Sequence, residues 1–249
     1  MTKEEISYRR YLQRSGYAPQ PISTALIDMD GVLYNSMYNH SRAWKRLGDE
    51  QGWHYEDNEF FLYEGMTGAA IIRLMEKREH GRDDVSDEEC KRLYALKAAY
   101  FTAQGEVEQM PGTARMLATL RKSEITRVLV TGSGQASLLD RLNRDYPGTF
   151  FAPLRVTAHD VTDGKPNPEP YLMGLHKASS EPSQSIVIEN APLGVEAGHR
   201  SGCFTIGITT GPMAESVLTE HGADIVYPTM DDFADALPNI IELRKSFKL

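Results

Sequence analysis

Two carboxylates close an apolar run in "ALIDMDGVLYNS", residues 25–36. Asp28 and Asp30 stand two residues apart, so at a strand end their side chains leave on the same side. Like charges held that close repel unless a cation or a shared proton compensates. A plain turn is the alternative, because Gly31 follows Asp30 and Asp-Gly is a common turn dipeptide. Other apolar runs end in the same manner. Thr131-Gly132-Ser133 follows "TRVLV", Asp160 closes "LRVTAHD", and Glu189-Asn190 ends "SIVIEN". Lys165 lies between Gly164 and Pro166-Asn167-Pro168 in "DVTDGKPNPEPY". Acids and an amide make a hard, oxygen-rich set, for which Mg2+ is the natural occupant. One aspartate of such a set can attack phosphorus as a nucleophile and form an aspartyl-phosphate. The other can protonate the leaving group and then activate water or an alcohol. Thr131 and Lys165 would stabilise charge on the transferred phosphoryl oxygens.

Each of these residues also has a structural use. Thr131-Gly132-Ser133 could cap the helix that follows it. A lone lysine is ordinarily a solvated surface residue, although the glycine and prolines around Lys165 imply a rigid loop. Glu189 and Asn190 resist such a reading, since a buried strand rarely ends in adjacent polar groups without partners. His40, near the start of an expected helix, reads as a packing or hydrogen-bonding residue close to the site. "TGSGQAS" has neither dinucleotide-binding glycine spacing nor a phosphate-loop lysine.

The elements that must position these groups are legible from periodicity. Strand-like runs "TRVLVTGS", "LRVTAHD", "SIVIENA", "CFTIGITT" and "ADIVYPT" alternate with helical stretches at 113–122, 135–144, 168–178, 192–201 and 213–221. With the first strand at 25–28, this predicts an α/β core with a Rossmann-like, mostly parallel sheet covered on both faces. Ligands of such sheets bind beyond the carboxyl ends of the strands, where the polar residues gather. Residues 36–105 carry helical patterns only, several ending at a glycine, and Ser86…Glu89 matches a capping box. They read as an all-helical cap inserted into the core. The expected organisation is an N-terminal helical extension at 1–20, core at 21–35, cap at 36–105 and core again at 106–249.

The chain has 249 residues and a formal net charge of -8, so nothing in it favours a nucleic-acid partner. Two cysteines, Cys90 and Cys203, make no disulfide framework. No signal-peptide core and no membrane-spanning run is present. A cytoplasmic monomer without a membrane partner is expected.

In this order, Asp28-Met29-Asp30-Gly31, Thr131-Gly132-Ser133, Gly164-Lys165-Pro166-Asn167-Pro168 and Glu189-Asn190 resemble the motifs of the haloacid dehalogenase-like hydrolase superfamily. The insert is similar to the helical cap of its beta-phosphoglucomutase-like branch. The resemblance implies Asp28 as nucleophile and Asp30 as general acid/base. It also implies Thr131 and Lys165 on the phosphoryl group, with Gly31, His40, Glu64, Gly132, Ser133 and Asn167 around the substrate. Mg2+ would be bound by Asp28, Asp30, Glu189 and Asn190. Two departures stand out. Asn190 replaces an aspartate usual in that branch, and Glu64-Gly65-Met66-Thr67-Gly68 replaces a Lys-Gly-Val-Ser-Arg pattern, which removes the arginine that grips a second phosphate. This combination resembles an inorganic pyrophosphatase subgroup in which a cap glutamate reaches the site. Expected is a Mg2+-dependent phosphohydrolase of pyrophosphate or a small phosphate ester. A beta-phosphoglucomutase-type enzyme is the alternative, with Lys97 standing in for the arginine. A non-catalytic binding protein is the third reading.

Overall fold

The computed structural model describes residues 1–134 and 136–247. Helix α1 (Lys3–Ser15) opens the chain, followed by β1 (Thr24–Ile27). Four helices come next: α2 (Met37–Gln51), α3 (Glu59–Leu62), α4 (Gly68–His80) and α5 (Asp87–Thr102). The remainder alternates as α6 (Thr113–Lys122), β2 (Thr126–Val130), α7 (Ala136–Asp145), β3 (Arg155–Val156), α8 (Glu169–Ala178) and β4 (Ser185–Glu189). It closes with α9 (Pro192–Arg200), β5 (Phe204–Ile208), α10 (Glu215–Glu220), β6 (Ile225–Tyr227) and α11 (Met230–Ser246). Residue 135, the expected first position of the helix now seen as α7, lies outside the described residues, as do the last two of the chain.

The six strands form one parallel sheet in the order β3-β2-β1-β4-β5-β6. The chain leaves β1 on one side to build β2 and β3, then returns to its other side for β4 to β6. That reversal leaves a crevice above the carboxyl ends of β1, β2 and β4. Alternation along β1 and its neighbours divides the core between two faces. Ala25, Ile27, Leu129, Ile186 and Ile188 join the cluster that α1, α6 and α11 cover, with Tyr8, Leu120 and Phe233. Leu26, Val128, Val130 and Val187 point to the opposite face, where Tyr171 and Leu175 of α8 and Ala197 of α9 meet them.

Helices α2 to α5 bury a core of their own, including Trp44, Leu47, Trp53, Phe60, Ile72, Met75 and Leu93. The expected cap of Ser86 on α5 is present, its hydroxyl accepting from Glu89 N–H at 3.1 Å. The two chain crossings into this helical body are bonded to each other. Asn35 N–H donates to the Glu108 carbonyl and Met110 N–H to the Leu33 carbonyl, each at 2.9 Å.

One strand is shorter than expected. "LRVTAHD" yields only the two residues of β3. Thr157 N–H and Oγ1 both donate to the Asp160 carboxylate, at 2.9 and 2.8 Å, so the backbone turns there instead of extending.

Candidate active site

Asp28 follows the last residue of β1 and is buried at the centre of the crevice. Lys165 comes to it from the loop before α8. Its Nζ donates to Asp28 Oδ1 at 2.6 Å, to Glu189 Oε1 at 2.6 Å and to the Val130 carbonyl at 3.1 Å. Burial opposes the charge on Lys165, but Asp28 and Glu189 beside it hold its pKa at about 12, so the ammonium persists. Burial pushes Asp28 well above the usual carboxylate range, and the Glu189 and Asp30 charges add to that push against Lys165.

Glu189 is spoken for. Its Oε1 accepts from Lys165 and from Tyr171 Oη at 2.8 Å, while Oε2 accepts from the N–H groups of Asn190 and Ala191 at 2.8 and 3.1 Å. A carboxylate has about four lone-pair positions, and all four are used. Glu189, expected as a metal ligand, is here the counter-ion that holds Lys165. Gly194 makes room for it, because a β-carbon at that position would lie 1.8 Å from Oε1. Tyr171 went unnoticed in the sequence. The signal was an aromatic in an otherwise ordinary helix, six residues beyond Lys165.

Asp30 has different partners. Ser36 Oγ donates to its Oδ1 at 2.6 Å, and His40 Nε2 meets the same oxygen at 2.9 Å. Burial raises the Asp30 pKa, yet His40, Ser36 and the Lys97 charge outweigh it and leave the group below its ordinary value. On the far side of the imidazole, His40 Nδ1 lies 2.5 Å from Lys97 Nζ, an arrangement in which the ammonium donates and Nε2–H points to Asp30. Burial draws Lys97 down to about 8, against the pull of Glu64 and Asp30. Lys97 thus reaches the acid/base candidate through His40.

Thr131, directly after β2, is buried, and its Oγ1 accepts from Ser133 N–H at 3.0 Å. Across from it the loop 63–67 lowers Glu64 toward the aspartates. The Glu64 Oε1 atom is shut off from solvent without a hydrogen-bond partner, and burial together with the Asp30 charge pushes its pKa well up. The cavity enclosed between Asp28, Asp30, Glu64, Tyr94, Lys97 and Thr131 measures about 30 Å3. Gly68 adds no side chain because Tyr94 stands in that space: a β-carbon there would lie 2.1 Å from its ring. The Tyr94 hydroxyl accepts from Gly134 N–H at 3.1 Å, tying the helical body to the core.

Three expected residues serve elsewhere. Asn167 Oδ1 accepts from Glu169 N–H at 2.9 Å, and its Nδ2 lies 3.4 Å from Asp163, so it shapes the start of α8 and does not line the cavity. Asp160 is engaged by Thr157 and by Lys177 at 2.9 Å, away from the cavity. Gly31 acts as a floor: a β-carbon there would lie 2.0 Å from Asn190 Nδ2.

Among the described residues no three His, Cys, Asp or Glu side chains cluster at metal-ligand spacing. The oxygen donors nevertheless fit a hard cation. Both polar side-chain atoms of Asn190 are buried without a partner, as is Glu64 Oε1. Unpaired buried oxygens beside a desolvated aspartate pair are what an absent divalent ion would satisfy.

Residues 25–208 match the family model described as haloacid dehalogenase-like hydrolase. A Bacteroides vulgatus protein provisionally assigned as a beta-phosphoglucomutase superposes with a TM-score of 0.92 at 40% identity, covering 98% of this chain and 99% of that one. Validoxylamine A 7'-phosphate phosphatase of Streptomyces hygroscopicus subsp. limoneus is 32% identical over 78% of this chain and 88% of its own length. Hexitol phosphatase A of Escherichia coli is 28% identical over 85% of this chain and 96% of its own length.

Proposed function

We propose that this chain, which belongs to the haloacid dehalogenase-like hydrolases, transfers the phosphoryl group of a small phosphate ester to Asp28 and then onward. The observation that carries this reading is the unequal surroundings of the two aspartates. Asp28 is salt-bridged to Lys165 alone, whereas Asp30 is gripped by Ser36 and His40. That difference supports Asp28 as the nucleophile and Asp30 as the acid/base. Both bonds on Asp30 fall on Oδ1, which leaves Oδ2 for the proton of the leaving oxygen. The Lys165 charge offsets that of the phosphoryl group, and the Thr131 hydroxyl donates to a phosphoryl oxygen. Mg2+, held by Asp28, the Asp30 carbonyl, Asn190 and Glu64, would cancel the repulsion between the acids and the incoming phosphate. The helical body acts as a cap that excludes water over the aspartates.

For the substrate, the relatives favour a sugar or polyol phosphate, and the 40% identical protein favours beta-phosphoglucomutase-type transfer over the hydrolysis of pyrophosphate. In that reading the aspartyl-phosphate is returned to a second hydroxyl of the sugar phosphate, with Lys97 as the buried cation of the cap. Pyrophosphate is kept as a second reading on one observation: Tyr94 fills the space over Gly68, so no side chain enters there to grip a second phosphate. A single assay separates them. The pure protein with Mg2+ is given beta-glucose 1-phosphate, with a trace of the bisphosphate, and pyrophosphate in parallel. Isomerisation exceeding phosphate release supports the mutase, whereas phosphate release from pyrophosphate alone overturns it.

A further inference from the structure

Where the cap loop meets the core, the two surfaces approach through backbone rather than side chains. A β-carbon added at Gly132 would lie 2.3 Å from the Gly65 carbonyl oxygen, 2.9 Å from the Gly65 carbonyl carbon and 3.1 Å from the Met66 carbonyl oxygen. All three nearest atoms belong to the cap. At Gly164 the corresponding contacts are Thr67 Cγ2 at 2.9 Å and Thr67 N at 3.1 Å, again cap atoms. Neither glycine has the left-handed φ that excludes other residues, so the core backbone itself does not call for glycine at either position. On the facing side Gly65 does have a φ of 92°, and a β-carbon there would lie 3.0 Å from Lys165 Cδ.

We infer that Gly132 and Gly164 form a seat, bare of side chains, on which the loop 64–67 rests, and that Gly132 sets the depth to which the cap descends. The seat is next to both functional groups that the cap lowers into the cavity. Glu64 precedes Gly65 on the seated loop, and Tyr94 takes the N–H of Gly134, two residues beyond Gly132. Gly132 is therefore a positioning residue, acting through Glu64 and Tyr94. A methyl at 132 needs ordinary contact of about 3.4 Å to the Gly65 oxygen, which requires the loop to rise by about 1 Å from its present 2.3 Å. A misplacement of about 1 Å at a catalytic constellation lowers rates on the order of 100-fold.

Gly132→Ala and Gly164→Ala test this together, with thermal unfolding, hydrogen exchange and steady-state kinetics on a phosphate ester at saturating Mg2+. The expected result for Gly132→Ala is an unchanged melting temperature, faster amide exchange confined to 64–67 and the segment around Tyr94, and kcat/KM lower by about 100-fold. Gly164→Ala, whose obstruction is a rotatable threonine methyl, should show the same pattern at a few-fold. An unchanged exchange pattern in Gly132→Ala, or a larger defect in Gly164→Ala than in Gly132→Ala, overturns the seat. A Gly132→Ala protein that loses its fold overturns it too, because the core would then need that glycine for itself. The kinetic arm rests on the phosphoryl-transfer reading, whereas the exchange arm does not. Localised exchange in a protein inert toward every phosphate ester would therefore count against that reading and leave the seat standing.

Discussion

Replacing Lys165 by methionine should damage stability as well as turnover. The Lys165 ammonium lies between two carboxylates at 2.6 Å each, with the lysine and Glu189 side chains at 0% exposure and Asp28 at 8%. Methionine preserves the length and most of the packing of the side chain. It leaves Asp28 and Glu189 facing each other without a cation in a site that water scarcely reaches. Removing one partner of a buried pair costs about 3–5 kcal/mol. For a domain of this size each kcal/mol is about 2–4 °C in melting temperature, so the fall should be about 6–20 °C. The loss should also depend on pH. Burial already raises Asp28 above the ordinary carboxylate range, and without Lys165 it rises further. The folded variant then holds a proton that the unfolded chain releases, so its stability falls as pH climbs from about 5 to about 8. Thermal unfolding of wild type and Lys165→Met in EDTA, at both pH values, measures this directly. Glu189→Gln added to Lys165→Met removes one stranded charge and should recover about half of the loss. A melting temperature within about 2 °C of wild type at both pH values would refute the reasoning.

Other expectations follow from the same geometry. Asp28→Asn should fold as wild type yet lose turnover by several powers of ten, and retention of more than about a tenth of kcat in pure protein would remove Asp28 as nucleophile. Asp30→Asn should reduce turnover of alkyl phosphates far more than of activated aryl phosphates, whose leaving groups need little protonation; equal losses would make Asp30 structural. Glu64→Ala, which deletes the partnerless buried oxygen over the aspartates, should raise the Mg2+ concentration for half-maximal activity, and superimposable Mg2+ titrations would take Glu64 out of the site. Tyr171→Phe retains the ring under Lys165 but removes the hydroxyl from Glu189. It should lower kcat by about 10- to 150-fold with KM nearly unchanged, since a hydrogen bond to a charged group is worth about 1.5–3 kcal/mol, and a wild-type kcat would make the bond dispensable.

Local pattern and long-range contact were legible to different degrees, and the site shows why. Asp28 and Asp30 could be read as a pair because strand alternation is a local rule, and β1, ending at Ile27, delivers them to the crevice just beyond its carboxyl end. Val and Ile runs gave the strands for the same reason, and terminal glycines gave helix ends such as Gly52 and Gly81. Asn167 misled because a proline-flanked polar residue looks the same whether it faces a ligand or caps the next helix; only the Glu169 N–H at 2.9 Å decides it. Glu189 misled for a deeper reason. An acid at a strand end signals that something cationic must meet it, but whether that cation is a metal or an ammonium depends on a loop 24 residues away. Lys97 was legible as a cap lysine that could stand in for a missing arginine, but its approach to His40 was not, because that contact spans 57 residues and two helices of the cap. The seat at Gly132 lies at the same limit. A glycine in a motif loop ordinarily signals a turn, yet its role here is fixed by a carbonyl from the cap, 67 positions earlier in the chain. What the chain writes locally is which groups reach the carboxyl edge of the sheet. Which of them face substrate is settled by how closely the cap can come down upon it, and that distance is set where neither surface has a side chain.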